Sequence, residues 1–519
     1  MVRNSRFSFI ERMPRARFGL FAVAAVFAAA PLCCDLNHPG EEPRRAELYY
    51  PISVTLAPSQ DDENEASDFP KYLFVVNSNF DLRYNAGSVQ AFDLDSIFKK
   101  TSKCEKVIDK CREDVDECER EFDACLNSCG KEDEKCLEEC ERDDPCSDLC
   151  DPYALCHIDP AEVLADEVLI GSFAATATFS PGGKRLYVPT RSNTSLSYID
   201  VDAEADGDRV LSCGEGSSRR CGDDYVRGDE ALASVRRIEL SGESVGAVVQ
   251  RLKLVNENAR EDLDYVLVAQ RNGSVSFFVS PDKNGPELVY MIDKFQTEVT
   301  NIGLDPITGY AYLTSRETIT TGNRKSLQRV GIFYDLDELT SFIYDAGLVF
   351  LRGVSAERDT RDIAFSPFAP DRAFVVSRTP NALLVVDFSS ARTGNLEAIV
   401  NRTVKVGSGA SRVVVGRIGN DPRLFAFVSC FGSRELFVID VDLGEPVAVI
   451  QGFSGPFELA LDRWRKKIYV ADFRSSIVRI VDLEPIVCVP ESEDDACQKN
   501  QTSRIVATLG EPRPPEELI

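Results

Sequence analysis

The chain has 519 residues, 43% of them hydrophobic, and a formal net charge of -26. That charge excludes a nucleic-acid backbone as partner, because phosphate binding needs clustered Lys and Arg, and it fits a soluble or anionic surface protein. With only two histidines (His38 and His157), one Trp and three Met, histidine-based catalysis and multi-His metal sites are nearly excluded.

At the N-terminus, Arg3, Arg6, Arg12, Arg15 and Arg17 precede the apolar run FGLFAVAAVFAAAPL (Phe18 to Leu32), which is too short to span a bilayer comfortably. Met13 opens a complete signal of the same kind, and CCDLNHPG follows the run directly. A Cys in that place resembles a bacterial lipoprotein cleavage site, which implies lipid on Cys33 or Cys34. An ordinary secretory cut is the alternative, disfavoured by Pro31 after the Ala run. Either way the chain is exported to an oxidising compartment. The expected layout is a signal peptide over 1–33 and a tether over 34–48. No later segment is apolar enough to cross a membrane.

YYPISVTLAPS (Tyr49 to Ser59) reads as a strand, and YLFVVNSNFDLRYNAGSVQAFDLD (Tyr72 to Asp95) as two strands joined by a turn. An insertion over 98–160 then carries ten cysteines between Cys104 and Cys156. Seven residues return a helix to nearly the same azimuth, so Cys104, Cys111, Cys118 and Cys125 form one stripe, extended by Cys129. Gly130 to Asp133 breaks the helix, and a second helix presents Cys136 and Cys140. Folded back on each other, the helices predict the disulfide ladder Cys129–Cys136, Cys125–Cys140, Cys118–Cys146, Cys111–Cys150 and Cys104–Cys156. A metal or iron–sulfur site is the rival reading, but its ligands are usually separated by two residues, and between Cys104 and Cys140 the gaps are three and six. Thiol redox catalysis would want a C-x-x-C, which is absent.

The pattern of the first copy recurs six times. The later copies are ATFSPGGKRLYVPTRSNTSLSYIDVD (Ala177 to Asp202), DYVLVAQRNGSVSFFVS (Asp264 to Ser280), IGLDPITGYAYLTSR with RVGIFYDLD (Ile302 to Asp337), IAFSPFAPDRAFVVSRTPNALLVVDF (Ile363 to Phe388), RLFAFVSCFGSRELFVIDVD (Arg423 to Asp442) and LALDRWRKKIYVADFRSSIVRIVDL (Leu459 to Leu483). RIVATLG (Arg504 to Gly510) supplies a last strand. The expected fold is all-β: a seven-bladed β-propeller of four-stranded blades over 49–510, with an inserted disulfide-rich α-helical hairpin and a tail over 511–519. Strands from both termini are candidates to close it. The runs LYVPTRSNTSLSYIDVD, AFVVSRTPNALLVVDF and IYVADFRSSIVRIVDL resemble the YVTN-type propeller family, also called surface-layer-like or cytochrome-d1-type. That resemblance implies the fold and no particular activity. No family active-site motif is matched, and a haem-attachment C-x-x-C-H is absent.

Aligned at the end of the second strand, the copies give Asn77, Thr190, Gln270, Ser315, Ser377, Cys430 and Asp472, all polar or small and all expected to point toward one rim of the ring, where Asn77, Thr190, Gln270 and Asp472 are candidate ligand-binding residues. The next residue is Arg in four of them (Arg191, Arg271, Arg316 and Arg378), with Arg474 one place further on in the last. A rank of Arg in so acidic a chain points to a mouth that binds an anionic ligand through guanidinium forks. The competing reading pairs each Arg with an Asp ending a third strand, namely Asp93, Asp200, Asp335, Asp387, Asp440 or Asp482. Those Asp residues are otherwise expected to cap turns. DAEADGD places Asp202, Glu204, Asp206 and Asp208 like the front of a calcium loop, although Cys213 stands where a bidentate Glu belongs. A solvated acidic loop is the alternative. Cys213–Cys221 and Cys488–Cys497 read as local disulfides, and Cys430 as a packed thiol.

These residues support a non-enzymatic binding or scaffold module at the cell envelope, periplasmic or an outer-membrane lipoprotein. Its partners would be the membrane, through an N-terminal lipid, and an unidentified envelope protein or anionic ligand, with the hairpin as a partner arm. The alternative is a divalent-cation-dependent hydrolase or lactonase at a central channel, with Asp472 and Asn77 as candidate ligands. Calcium is the one cofactor the sequence raises.

Overall fold

The computed structural model describes residues 40–57, 69–128, 155–192, 194–205, 209–214, 219–228, 242–252, 263–281, 284–293, 295, 297–316, 325–334, 342–352, 359–392, 397–487 and 505–512. The chain divides into two compact bodies, Met1–Gly40 and Glu41–Ile519; the units numbered below are the strand meanders of the second. Expectations for Cys33, Cys34, Asp206, Asp208, Asp335 and the Cys488–Cys497 loop lie outside the described residues.

The Val-, Ile-, Phe- and Tyr-rich runs form antiparallel strands, since branched and aromatic side chains pack well on a pleated surface. Unit one comprises Pro51–Leu56, Tyr72–Asn77, Gly87–Asp93 and Leu164–Ile170. Five more meanders follow, opening at Thr178–Phe179, Ser244–Leu252, Val299–Leu304, Thr360–Phe365 and Ala410–Gly416, the first with an added fifth strand, Leu211–Ser212. Unit seven comprises Pro456–Asp462, Lys467–Asp472, Ile477–Asp482 and Ile505–Leu509. Units four and five share one eight-stranded sheet, because Phe350–Arg352 pairs in parallel with Glu397–Ile399.

Each meander is apolar on both faces and therefore needs a neighbour on each side. The core accordingly splits into layers between successive units. Phe74 and Val76 of unit one pack with Leu186 and Val188 of unit two. Tyr469, Ala471 and Val478 of unit seven pack with Leu73, Val75 and Phe92 of unit one. First strands lie against first strands from unit two through unit seven, and that of unit seven lies against that of unit one. Between units one and two, Ala177 N–H donates to Ser53 Oγ at 3.2 Å. The fold is mostly β and propeller-like.

Helix α1 (Leu94–Ser128) leaves unit one directly after its third strand. Asp93 Oδ1 accepts the Ser96 N–H at 2.6 Å, capping one of the free donors of its first turn. Ile97 and Ile108 are buried in the layer between units seven and one. Over 35 residues the helix runs about 52 Å. Cys104 bonds Cys156, and Cys156–Ile158 adds in parallel to Ile505–Leu509, the edge strand of unit seven. The terminal strands stay in separate units among the described residues, Pro51–Leu56 in unit one and Ile505–Leu509 in unit seven. A short strand that follows the cysteine-rich insertion bridges them instead. Cys111 and Cys118 are also disulfide-bonded. The expected rungs that use Cys129, Cys136, Cys140, Cys146 and Cys150 lie outside the described residues, as does the second helix.

An arginine-lined cavity as the candidate functional site

One backbone hydrogen bond recurs in each of the seven meanders among the described residues and defines the site. The residue at or just after the end of each second strand donates to a carbonyl just ahead of the first strand. The donors are Ser78, Arg191, Arg271, Arg316, Arg378, Phe431 and Phe473, and their acceptors are Tyr50, Phe173, Glu243, Glu298, Asp359, Gly409 and Gly455, at 2.8 to 3.1 Å. A second device repeats beside it. The first strand carries a β-bulge near its start, between Pro51 and Ser53, Ser244 and Gly246, Val299 and Asn301, Thr360 and Asp362, Ala410 and Arg412, and Pro456 and Leu459. A bulge re-aims the extra side chain off the ladder. Val245, Thr300, Arg361, Ser411 and Phe457 sit in these bulges, and all five line one cavity.

Six arginines line that cavity of about 230 Å³: Arg191, Arg271, Arg316, Arg361, Arg378 and Arg412. The rank read from the sequence thus supplies four. Arg361 and Arg412 come from first strands and were missed. Alternation does not reveal a bulge, although the Arg two and three places after the acceptor residue marks both positions.

Four carboxylates offset part of this charge. Arg271 reaches Glu243 at 3.3 Å and Glu298 at 3.2 Å, and Arg316 reaches Glu298 at 3.6 Å. Arg361 Nη2 donates to Asp359 at 2.8 Å. Arg412 donates to Glu458 at 3.1 Å and to Thr176 Oγ1 at 3.0 Å, tying units six, seven and two together. Arg378 donates to Ala410 O and Ser411 Oγ, both at 2.8 Å, and has no carboxylate partner among the described residues. Arg191 has none either, and its Nε is buried without a hydrogen-bond partner.

The electrostatics register this excess. Burial lowers the Arg191 pKa, Glu243 opposes the shift, and the charges of Arg412, Arg271 and Arg316 add to it. Burial pushes Arg378 down to about 10, with Arg361 next in effect. Arg361 is lowered by burial against the pull of Asp359. Each shift disfavours a charge that an anion would stabilise.

The remaining sequence-derived residues fall elsewhere. Side chains alternate along a strand, so where Arg faces the cavity the residue before it faces away. Asn77 Nδ2 donates to Ser88 Oγ and Gln90 Oε1 at 3.0 and 2.9 Å. Thr190 contacts Ser195, and Gln270 donates to Ser276 Oγ at 2.7 Å. Asp472 accepts the Ser454 and Gly455 N–H groups and pairs with Arg479. Ser315 and Ser377 are buried as well. These side chains, assigned to an open rim by the alignment, instead serve packing between strands. Arg474 lies outside the cavity, stacked on Phe431 at 4.6 Å, because Phe473 takes the donor position in unit seven.

The third-strand Asp residues are at the wrong end to pair with the cavity. The antiparallel register sets Asp200 opposite Arg185, at the start of the second strand, whereas Arg191 follows its end. These Asp residues cap turns: Asp387 accepts the Ser389 N–H, Asp440 those of Asp442 and Leu443, and Asp482 that of Glu484.

Asp202 Oδ1 accepts the Glu204 N–H at 3.1 Å, and the Ala205 carbonyl accepts from Lys71 Nζ at 3.2 Å, a cation set beside the loop proposed for calcium. Glu204 borders a second cavity of about 900 Å³ at the root of α1, shared with Phe69, Phe98, Trp464 and charges of both signs. Cys213 and Cys221 are bonded. Cys430 is a buried free thiol whose pKa burial pushes up to about 12. Among the described residues no helix is long and apolar enough to cross a membrane.

No protein-family model matches the chain, and comparison with curated proteins returns no match. Solved structures similar to it include a Kuenenia stuttgartiensis hydrazine synthase (10% identity, 83% of this chain and 95% of that one, TM-score 0.47). A functionally unknown protein from Desulfotomaculum acetoxidans is similar at 11% identity over 62% of this chain and 86% of that one, TM-score 0.41. Dihydro-heme d1 dehydrogenase NirN, in complex with DHE, is similar at 13% identity over 68% of this chain and 59% of that one, TM-score 0.40.

Proposed function

We propose that this chain is an exported, envelope-facing seven-bladed propeller that binds a compact anion in the arginine-lined cavity and performs no chemistry on it. In this reading the N-terminus is lipid-anchored through Cys33 or Cys34, and the cysteine-rich insertion is a stapled helical arm for a protein partner. The observation that carries the binding reading is Arg191, a half-buried guanidinium with no carboxylate partner among the described residues, beside five more arginines. The lining groups support binding rather than turnover. Arginines stay protonated and serve poorly as general bases. The Ser411 hydroxyl donates to Gly409 O at 2.8 Å, and the Thr300 hydroxyl to Thr360 O at 2.9 Å.

The cation-dependent hydrolase loses its support here. Asp472 and Asn77 are engaged in the sheets, and a field of six arginines opposes a divalent cation.

The reading is tested by thermal melting at constant ionic strength, with inorganic phosphate replacing chloride. Phosphate at about 100 times its Kd should stabilise the wild-type protein by about 2.7 kcal/mol, and Arg191→Ala should lose most of that response while remaining folded. A phosphate response equal in both proteins, or absent from the wild type, would overturn it.

A further inference from the structure

The seven donor and acceptor positions are not alike around the face. Units three to five place Arg at the donor and a carboxylate at the acceptor: Arg271 with Glu243, Arg316 with Glu298, Arg378 with Asp359. Units six, seven and one carry Phe431, Phe473 and Tyr50 at these positions. Unit two is the boundary, where Arg191 faces Phe173. At Arg191 an aromatic residue occupies the place where units three and four put the acid that pairs their Arg, whereas in unit five Asp359 pairs with Arg361 instead.

The aromatic residues adjoin the cavity at two points, Phe457 in its lining and Phe173, whose carbonyl accepts the Arg191 N–H at 3.0 Å. Phe457 lines the cavity, and the Arg412 guanidinium lies 4.8 Å from its ring centre. Beyond Arg191, Phe173 meets Phe80 at 5.9 Å, and Phe80 meets Phe473 at 5.5 Å and Tyr50 at 5.9 Å. Phe80 is 55% exposed, although it sits on a braced turn. Asn79 Nδ2 donates to Tyr84 O at 2.6 Å and to Ser172 Oγ at 2.9 Å, and Asn79 Oδ1 accepts the Tyr84 N–H at 3.1 Å. A large apolar ring held in water by a preorganised turn, against the Phe173 whose backbone binds the unpaired Arg191, complements a ligand with the same two halves.

We infer that the occupant is an amphipathic anion, with an oxyanion head on Arg191 and an apolar ring or similar body over Phe80, Phe173 and Phe473. This rests on the anion-binding reading above and narrows it. Titration calorimetry with phenyl phosphate against inorganic phosphate separates the two. The wild-type protein should bind phenyl phosphate about tenfold more tightly than inorganic phosphate. Phe80→Ala should erase that margin and leave the affinity for inorganic phosphate unchanged, whereas Arg191→Ala should weaken both. Equal affinities in the wild type, or a margin that survives in Phe80→Ala, would overturn the amphipathic ligand and leave the anion site standing. Failure of both probes to bind the wild type would overturn both readings.

Discussion

Arg191 and Arg271 occupy the same position in adjacent repeats, yet their charges have opposite consequences. Arg271 lies between Glu243 and Glu298, whose hydrogen bonds raise its pKa. Burial lowers that of Arg191. A cation whose folded pKa lies below its unfolded value opposes folding wherever it stays charged in the fold. Arg191→Gln should therefore raise the unfolding free energy measured in urea in anion-free, low-salt buffer, while the same substitution at Arg271, which breaks two exposed ion pairs, should lower it by no more than about 1 kcal/mol. A loss of stability on replacing Arg191 would mean that its charge is compensated in the free protein. The four cavity arginines of the second-strand ends were legible because one alignment frame holds them. Arg361 and Arg412 were not, because a bulge shifts the facing of a side chain without leaving a trace in hydrophobic alternation. Arg474 was misread for the converse reason: a slip of one residue exchanges cavity for surface.

At the scale of elements, apolar layers are supplemented by buried ion pairs that join one unit to the next. Arg392, after the third strand of unit five, donates to both carboxylate oxygens of Asp305 in unit four, at 2.7 and 2.9 Å. The Asp305 side chain is fully buried, and it also accepts from the Ile307 N–H and the Thr308 hydroxyl. Arg185 acts similarly between units two and three, holding Asp200, Ser280 Oγ and the Pro281 carbonyl. Removing one member of such a pair leaves a charge in a low-dielectric layer. Arg392→Ala should thus cost roughly 3 kcal/mol in urea unfolding, and pairing it with Asp305→Asn should recover part of the loss. A single-mutant cost below about 1 kcal/mol would place this pair with ordinary surface bridges. The strands themselves were legible because a period-two run of branched and aromatic residues has few other uses. Which Arg joins which unit was not, since Asp305 and Arg392 are far apart in sequence and no pattern couples them.

At the scale of the whole molecule, a closed series of meanders is only as firm as its seam, and here the seam lies between units seven and one. Neither unit borrows a strand from the other terminus. Their layer is closed by Tyr469 and Val478 against Val75 and Phe92, and by the Tyr50 N–H donating to Ser476 Oγ at 3.2 Å. Cys156–Ile158 adds the rest. It pairs with Ala507–Leu509, Ile158 O accepts the Gly510 N–H at 3.0 Å, and His157 Nδ1 lies 2.8 Å from Thr508 Oγ1. The Cys104–Cys156 bond ties that latch to α1 and so to unit one, closing a loop with a sequence separation of 52. In the chain-entropy account a loop of that length contributes about 4 kcal/mol. The other bridges of the insertion shorten the effective loop and bring the figure to about 2–4 kcal/mol. The double variant Cys104→Ser, Cys156→Ser should lose that much stability. Because the bond acts at one seam, the loss should also be local: amide exchange should accelerate at Ile505–Leu509 well before it does at Ala311–Ser315 in unit four. Unchanged stability, or exchange that accelerates evenly around the units, would show that apolar packing alone closes the molecule. On that outcome the insertion would only project from the seam; on the expected one, the cysteine-rich segment is part of what holds the arginine-lined cavity in shape.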